Sequence, residues 1–293
     1  MAMNAPEPTS LTSRPAAPAG AGAAGAAGAA LAPLRSLRAF LVDLDGVVYT
    51  GNTPLPGAAA FFQFLRAAGR SFQCITNNST LTAEQYSAKL RGMGIDVAPE
   101  QVLTSAQATA VYLRERLGTG ARVMAIGEHG LVRALLSAGL RLVWREPSVV
   151  VCGLDRRLTY ERLKAACLAI RAGAQFVATN PDLSLPAEDG FLPGNGAALA
   201  YIQAATGVPP LVIGKPAATM LQVAMELLGS APAETAIIGD GLHTDMLAGQ
   251  RAGVVKILVL TGVARREDLP AAPARPDHVF ANLVELQESL AHG

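Results

Sequence analysis

At 293 residues and 51% hydrophobic content, the chain carries enough apolar material for one large globular unit or two of ordinary size. Its 24 basic and 23 acidic residues leave a formal net charge of +1, with no long basic run and only 5% aromatic content, which argues against a nucleic-acid surface. No stretch offers about 18 consecutive strongly apolar residues, which excludes a helical membrane span. Cys74, Cys152 and Cys167 are odd in number and lie in apolar segments without metal-ligand spacing, so they read as reduced, buried thiols of a cytoplasmic protein.

From the N-terminus, Pro15 to Ala32 is almost entirely Ala, Gly and Pro, and residues 1–35 read as a disordered tail. A targeting peptide is the competing reading, but alanine and glycine make a poor apolar core for one. The run Phe40-Leu41-Val42-Asp43-Leu44-Asp45-Gly46 then predicts a buried parallel strand that ends in a turn. Ligands of open α/β sheets bind at such C-terminal tips, and alternate strand residues share a side, so Asp43 and Asp45 can converge on one point. Two carboxylates about 4 Å apart repel by roughly 4 kcal/mol at an effective dielectric near 20. A hard divalent cation such as Mg2+ would relieve that repulsion; a plain Asp-Gly surface turn is the alternative.

Ala60, Phe61, Phe64, Leu65 and Ala68 follow at helical spacing behind Pro56-Gly57, and Gly69 stops them. Ser71 to Thr76 is the next strand, and it breaks into Asn77-Asn78-Ser79-Thr80 ahead of a helix from about Thr82. Further strands are expected at Val102–Ser105, Val123–Gly127, Val149–Asp155, Phe176–Asp182, Leu211–Lys215, Ala236–Asp240 and Val255–Leu260. Strands alternating with helices predict a parallel sheet with right-handed crossovers.

Several of these strands end in a chemically useful residue. Thr76 offers a hydroxyl, and the N–H groups of Asn77 and Asn78 at a helix N-terminus would suit a phosphate oxygen; the alternative is that Thr76 simply caps the helix. Lys215, between Gly214 and Pro216, is held at a strand tip by restricted backbone, with a solvated surface lysine as the alternative. Gly239-Asp240-Gly241-Leu242-His243-Thr244-Asp245 adds two carboxylates, Asp240 as a cation ligand and Asp245 as a hydrogen-bond partner behind it. His129 and His243 read as exposed loop histidines, and Asn195 as a helix entry.

Asp-x-Asp-Gly-Val, Ile-Thr-Asn-Asn-Ser, Gly-Lys-Pro and Gly-Asp-x-Leu-x-Thr-Asp, in this order, resemble the four motifs of the haloacid dehalogenase superfamily of phosphatases. Positions 80–213, between the second and third motifs, can hold a whole small domain. That placement resembles the subgroup with an α/β cap, which includes nitrophenyl, phosphoglycolate, pyridoxal and nucleotide phosphatases. The resemblance implies a Rossmann-like α/β core of residues 36–108 and 208–293, with a cap domain at 109–207. It implies Asp43 as nucleophile and Asp45 as general acid, with Mg2+ held by Asp43, the Asp45 carbonyl and Asp240. Thr76, Asn77 and Lys215 would bind phosphate, and Asn180 and Asp182 in the cap would meet the substrate. The implied activity is hydrolysis of a small phosphorylated metabolite, with a homodimer left open. A phosphotransferase, a phosphonate- or halide-cleaving relative, and a catalytically silent binding protein are the competing readings. Gly241 departs from the family pattern, which usually carries a larger polar side chain there.

Overall fold

The computed structural model describes residues 34–187 and 190–292, so the expected tail lies outside the described residues except for its last two positions. Those two belong to a short 3-10 turn, Leu34–Ser36, whose Leu34 packs on the core. They are therefore structured, contrary to the expectation, because a leucine there has apolar surface to bury.

Six parallel strands form the core sheet in the order His278–Phe280, Val255–Val259, Thr235–Gly239, Ala39–Asp43, Ser71–Thr76, Val102–Thr104. The central strand Ala39–Asp43 is buried throughout, which explains its uninterrupted apolar run. Phe40 and Val42 point into one hydrophobic cluster and Leu41 into another on the opposite face. Helices Ala58–Ala67, Ala83–Gly92 and Leu283–His292 cover the first face through Phe61, Phe62, Tyr86, Leu90 and Leu286. Helices Ser105–Leu117, Thr219–Leu228 and Leu247–Ala252 cover the second.

A separate parallel sheet of five strands forms the cap: Leu211–Val212, Gln175–Ala178, Val149–Cys152, Arg122–Ile126, Arg141–Leu142. Helices Tyr160–Arg171 and Asn195–Thr206 cover one face. On the other, Val123, Val149, Val151 and Val177 join Leu131 and Leu135 and the helix Ser105–Leu117 in the cluster that also holds Leu41. One apolar cluster thus runs from the core sheet into the cap sheet.

Some elements differ from the sequence reading. Leu211–Val212 pairs with Gln175–Ala178, so the return to the core comes after this strand rather than at 208. The hairpins Tyr49–Thr50 with Thr53–Pro54 and Ser184–Ala187 with Gly190–Pro193, and the strands Arg141–Leu142 and His278–Phe280, were not expected; runs this short carry little periodic signal. The helix near Thr82 starts at Ala83, with Thr82 and Gln85 forming a capping box. Cys74 and Cys152 are buried and all three cysteines are free, but Cys167 is only half-buried because it sits on the outer helix Tyr160–Arg171.

Replacing Leu41 with alanine should cost about 2–5 kcal/mol, since its side chain is fully buried against packed neighbours with little room to relax. Urea denaturation should show a lower midpoint with an unchanged slope.

Candidate active site

The register of the core sheet sets three strand tips side by side. Asp43 ends the central strand and lies opposite Ile75, one residue before Thr76, while Val42 lies opposite Ile238, two residues before Asp240. Asp45 reaches the same cavity by a different route from the expected one. The strand stops at Asp43, so strand alternation does not orient Asp45; a tight turn closed by Gly46 N–H to the Tyr49 carbonyl (2.8 Å) does. The Tyr49 hydroxyl donates to Asp45 Oδ2 at 3.3 Å.

Lys215 enters from the other sheet, three residues past the cap strand Leu211–Val212. It is buried, not the solvated lysine of the alternative reading, and its Nζ lies 2.7 Å from both Asp43 Oδ1 and Asp245 Oδ1. Oxygens of Asp43, Asp240 and Asp245 all lie within 4.8 Å of one another, and all three residues are buried. Burial pushes the Asp43 carboxyl well above the usual carboxylate range; Lys215 opposes the shift, while Asp245 and Asp240 add to it. Burial likewise pushes Asp240 up to about 6, with Asp245 adding and the Val263 N–H opposing. Burial lowers Lys215, but Asp245 and Asp43 outweigh it and hold the amine above the ordinary lysine range. Asp45 is exposed at the cavity surface, yet surrounding protein desolvates its carboxyl and raises its pKa against the pull of Lys89 and the Tyr49 hydrogen bond.

Asp245 spends both oxygens within the protein: Oδ1 on Lys215, Oδ2 on the Gly241 N–H (3.1 Å) and the Thr244 hydroxyl (3.0 Å). A Cβ at Gly241 would sit 2.0 Å from Thr244 Oγ1, so that hydroxyl fills the space beside this glycine.

A loop after the strand Val255–Val259, which the sequence reading did not single out, holds Asp240. Val263 N–H donates to Asp240 Oδ2 at 2.7 Å, and the Thr261 hydroxyl donates to the Gly46 carbonyl at 2.6 Å. A Cβ at Gly262 would lie 1.8 Å from Asp240 Oδ2 and one at Gly46 2.3 Å from it, so both positions must lack a side chain. The sequence signal was Thr261-Gly262, directly beyond another strand tip.

Thr76 is buried at its strand tip and lines the cavity, but the expected free N–H pair behind it is not formed. Asn78 N–H donates to Thr76 Oγ1 at 3.2 Å, and the next helix begins only at Ala83, so neither a helix N-terminus nor a Thr76 cap is present there. The Asn77 amide donates to Asp182 Oδ1 and Oδ2, both at 3.2 Å, and to the Lys215 carbonyl at 2.8 Å. Asn180 is buried, donating to the Asn77 carbonyl at 2.8 Å and accepting from Asp182 N–H at 3.2 Å. Asn195, the first residue of its helix as expected, donates to the Asn180 carbonyl at 2.7 Å. Asp43, Asp45, Thr76, Asn77, Asn180, Asp182, Lys215 and Asp240 all border one cavity of about 550 Å³ between the two sheets. His129 and His243 are exposed, but each lies in a helical turn rather than a loop.

Family models described as haloacid dehalogenase-like hydrolase and HAD-hydrolase-like match residues 40–141 and 212–286. An acid sugar phosphatase of Staphylococcus aureus is 45% identical over 248 residues, covering 84% of this chain and 95% of its own. A 4-nitrophenylphosphatase structure from Thermotoga maritima aligns with a TM-score of 0.84 at 40% identity, over 88% of this chain and 98% of that one. A glycerol phosphate phosphatase from Mycobacterium tuberculosis, in complex with calcium, aligns at 0.81 and 36% identity, over 86% of this chain and 75% of that one.

Replacing Lys215 with methionine should destabilise the cation-free protein by about 3–5 kcal/mol at neutral pH, because it strands buried carboxylates without a counter-charge. Burial raises the pKa of Asp43 and Asp240, so the folded state binds protons there more tightly and the loss should shrink as pH falls. Denaturation at pH 7.5 and pH 5 measures both effects; an equal loss at the two values would show that packing dominates.

Proposed function

Since the chain belongs to the haloacid dehalogenase-like hydrolases and is a phosphoric monoester hydrolase of that type, we propose that it hydrolyses small phosphomonoester metabolites through an aspartyl-phosphate intermediate with Mg2+ as cofactor. The observation that carries this reading is the convergence of Asp43, Asp240, Asp245 and Lys215 in one buried cluster. Substrates of the sugar phosphate or glycerol phosphate kind are supported by the relatives' names. Three cysteines without a disulfide support a cytoplasmic location, and among the described residues no helix is long and apolar enough to cross a membrane.

The residues present fit a hard divalent cation: three buried carboxylates face one amine, and the donors are all oxygen. Asp43, Asp240 and the Asp45 carbonyl would hold it, and when bound it offsets negative charge on the phosphoryl oxygens. Asp43 attacks phosphorus while the bond to the leaving oxygen breaks, and Asp45 delivers a proton to that oxygen. Water then cleaves the aspartyl phosphate, giving its proton to Asp45. Lys215, held by Asp245, balances charge on the peripheral oxygens, and the Thr76 hydroxyl and Asn77 N–H bind another. Asn180 and Asp182 act from the cap, Asn180 by shaping the loop and Asp182 through Asn77 and the cavity wall.

Asp43→Asn should abolish turnover with the melting temperature largely preserved, because an amide is a poor nucleophile. Asp45→Asn should lose about 10²–10⁴-fold on alkyl phosphates and less on nitrophenyl phosphate, whose leaving group needs little protonation. Steady-state kinetics on both esters checks this; equal losses would remove Asp45 from the general-acid role. Chelation should silence the wild-type enzyme and Mg2+ should restore it.

A further inference from the structure

The cavity is lined by four carboxylates, of Asp43, Asp45, Asp182 and Asp240, and by few cations. Lys215 is the one cation among the described residues that line it, and its amine is already shared between Asp43 and Asp245. The apolar side chains of the cavity wall are Leu154 and Leu185 from the cap and Val263 from the core, the last 81% exposed. Neutral polar side chains such as Thr50, Ser79 and Ser184 and the carboxylate of Asp182 line the same cavity.

Other nearby cations do not line the cavity. Arg156, two residues past Leu154, makes two 2.8 Å bonds to Glu128, and Arg162 is paired with Asp155. Lys89 lies over the Tyr49 ring, 3.8 Å from its centroid, and acts on Asp45 from outside the cavity lining. A cation bound by the core carboxylates would balance charge at the phosphoryl end only. An in-line leaving group departs on the side of phosphorus opposite Asp43, into a cavity that Leu154, Leu185 and Asp182 also line.

We propose that the site selects phosphomonoesters whose leaving alcohol is uncharged and discriminates against those bearing a second anionic group, carboxylate or phosphate. This inference rests on the phosphatase reading above. A second anion would lose water against Leu154 and Leu185, find no second cation among the described lining residues, and meet the carboxylates of Asp45 and Asp182.

Glycerol 3-phosphate and 3-phosphoglycerate form a matched pair, differing by a hydroxymethyl group against a carboxylate. Each is tested as a competitor of nitrophenyl phosphate hydrolysis by the full chain with Mg2+. Glycerol 3-phosphate should compete at a concentration at least about tenfold lower. Equal inhibition constants, a reversed order, or no competition by either ester would overturn the selectivity while leaving the hydrolase reading intact. Failure to hydrolyse nitrophenyl phosphate at all would overturn both. Leu154→Lys should shift the ratio of inhibition constants toward 3-phosphoglycerate by about tenfold, by supplying the missing cation. The ratio is independent of how much of the variant folds, and an unmoved ratio would remove Leu154 from the wall that sets selectivity.

Discussion

The pair of 2.7 Å contacts from Lys215 Nζ to Asp43 and Asp245 is the interaction on which the rest of the site depends. Burying one ion alone costs several kcal/mol, and burying three carboxylates close together costs more still unless an opposite charge joins them. Lys215 supplies one such charge, yet burial, with repulsion from Asp245, still raises the pKa of Asp43 and Asp240. An arrangement that carries excess negative charge without its ligands is suited to receive a divalent cation. The protein thereby holds its acids ready at a place where solvent would otherwise separate them.

Lys215 also ties the two sheets together. It leaves the edge strand of the cap sheet, yet its amine ends among core carboxylates, while its carbonyl accepts the Asn77 amide that also reaches Asp182. The same seam includes Asn180 on the Asn77 carbonyl and Leu154 N–H on Ser79 Oγ at 3.3 Å. Beneath these polar contacts runs the apolar cluster from Leu41 through the helix Ser105–Leu117 to Val151 and Val177. The core loop at Asn77 and the cap loop at Asn180 and Asp182 therefore share hydrogen bonds, so a change at Asp182 is felt at Asn77.

The seat of Asp240 follows a different logic. Its carboxylate is held by a backbone N–H from Val263 and by the absence of side chains at Gly46 and Gly262. The Thr261 hydroxyl ties this loop to the turn after Asp43. Backbone donors and missing Cβ atoms leave the carboxylate few alternative positions without contributing further charge.

Much of the chemistry was legible in the chain because its carriers sit at strand tips. An apolar run ending in a polar residue marks such a tip, and Asp43, Thr76 and Asp240 are each found within a residue of a core strand's end. The parallel α/β core followed from the same alternation of apolar runs and helical stretches, because those patterns are local. What the chain did not disclose depends on contacts between distant segments. Lys215 looked like another core-strand tip, and only strand pairing assigned its strand to the cap sheet. Thr76 to Asn78 looked like a helix N-terminus, yet the next helix begins only at Ala83, capped by Thr82. The Thr261–Val263 loop carried no charged group to draw notice, although its backbone is what holds Asp240. The sequence by itself determined which chemical groups exist and which element each one ends. The tertiary structure alone decided which groups meet, because pairing of buried charges, strand order and close backbone approach are set by packing between parts of the chain far apart in number.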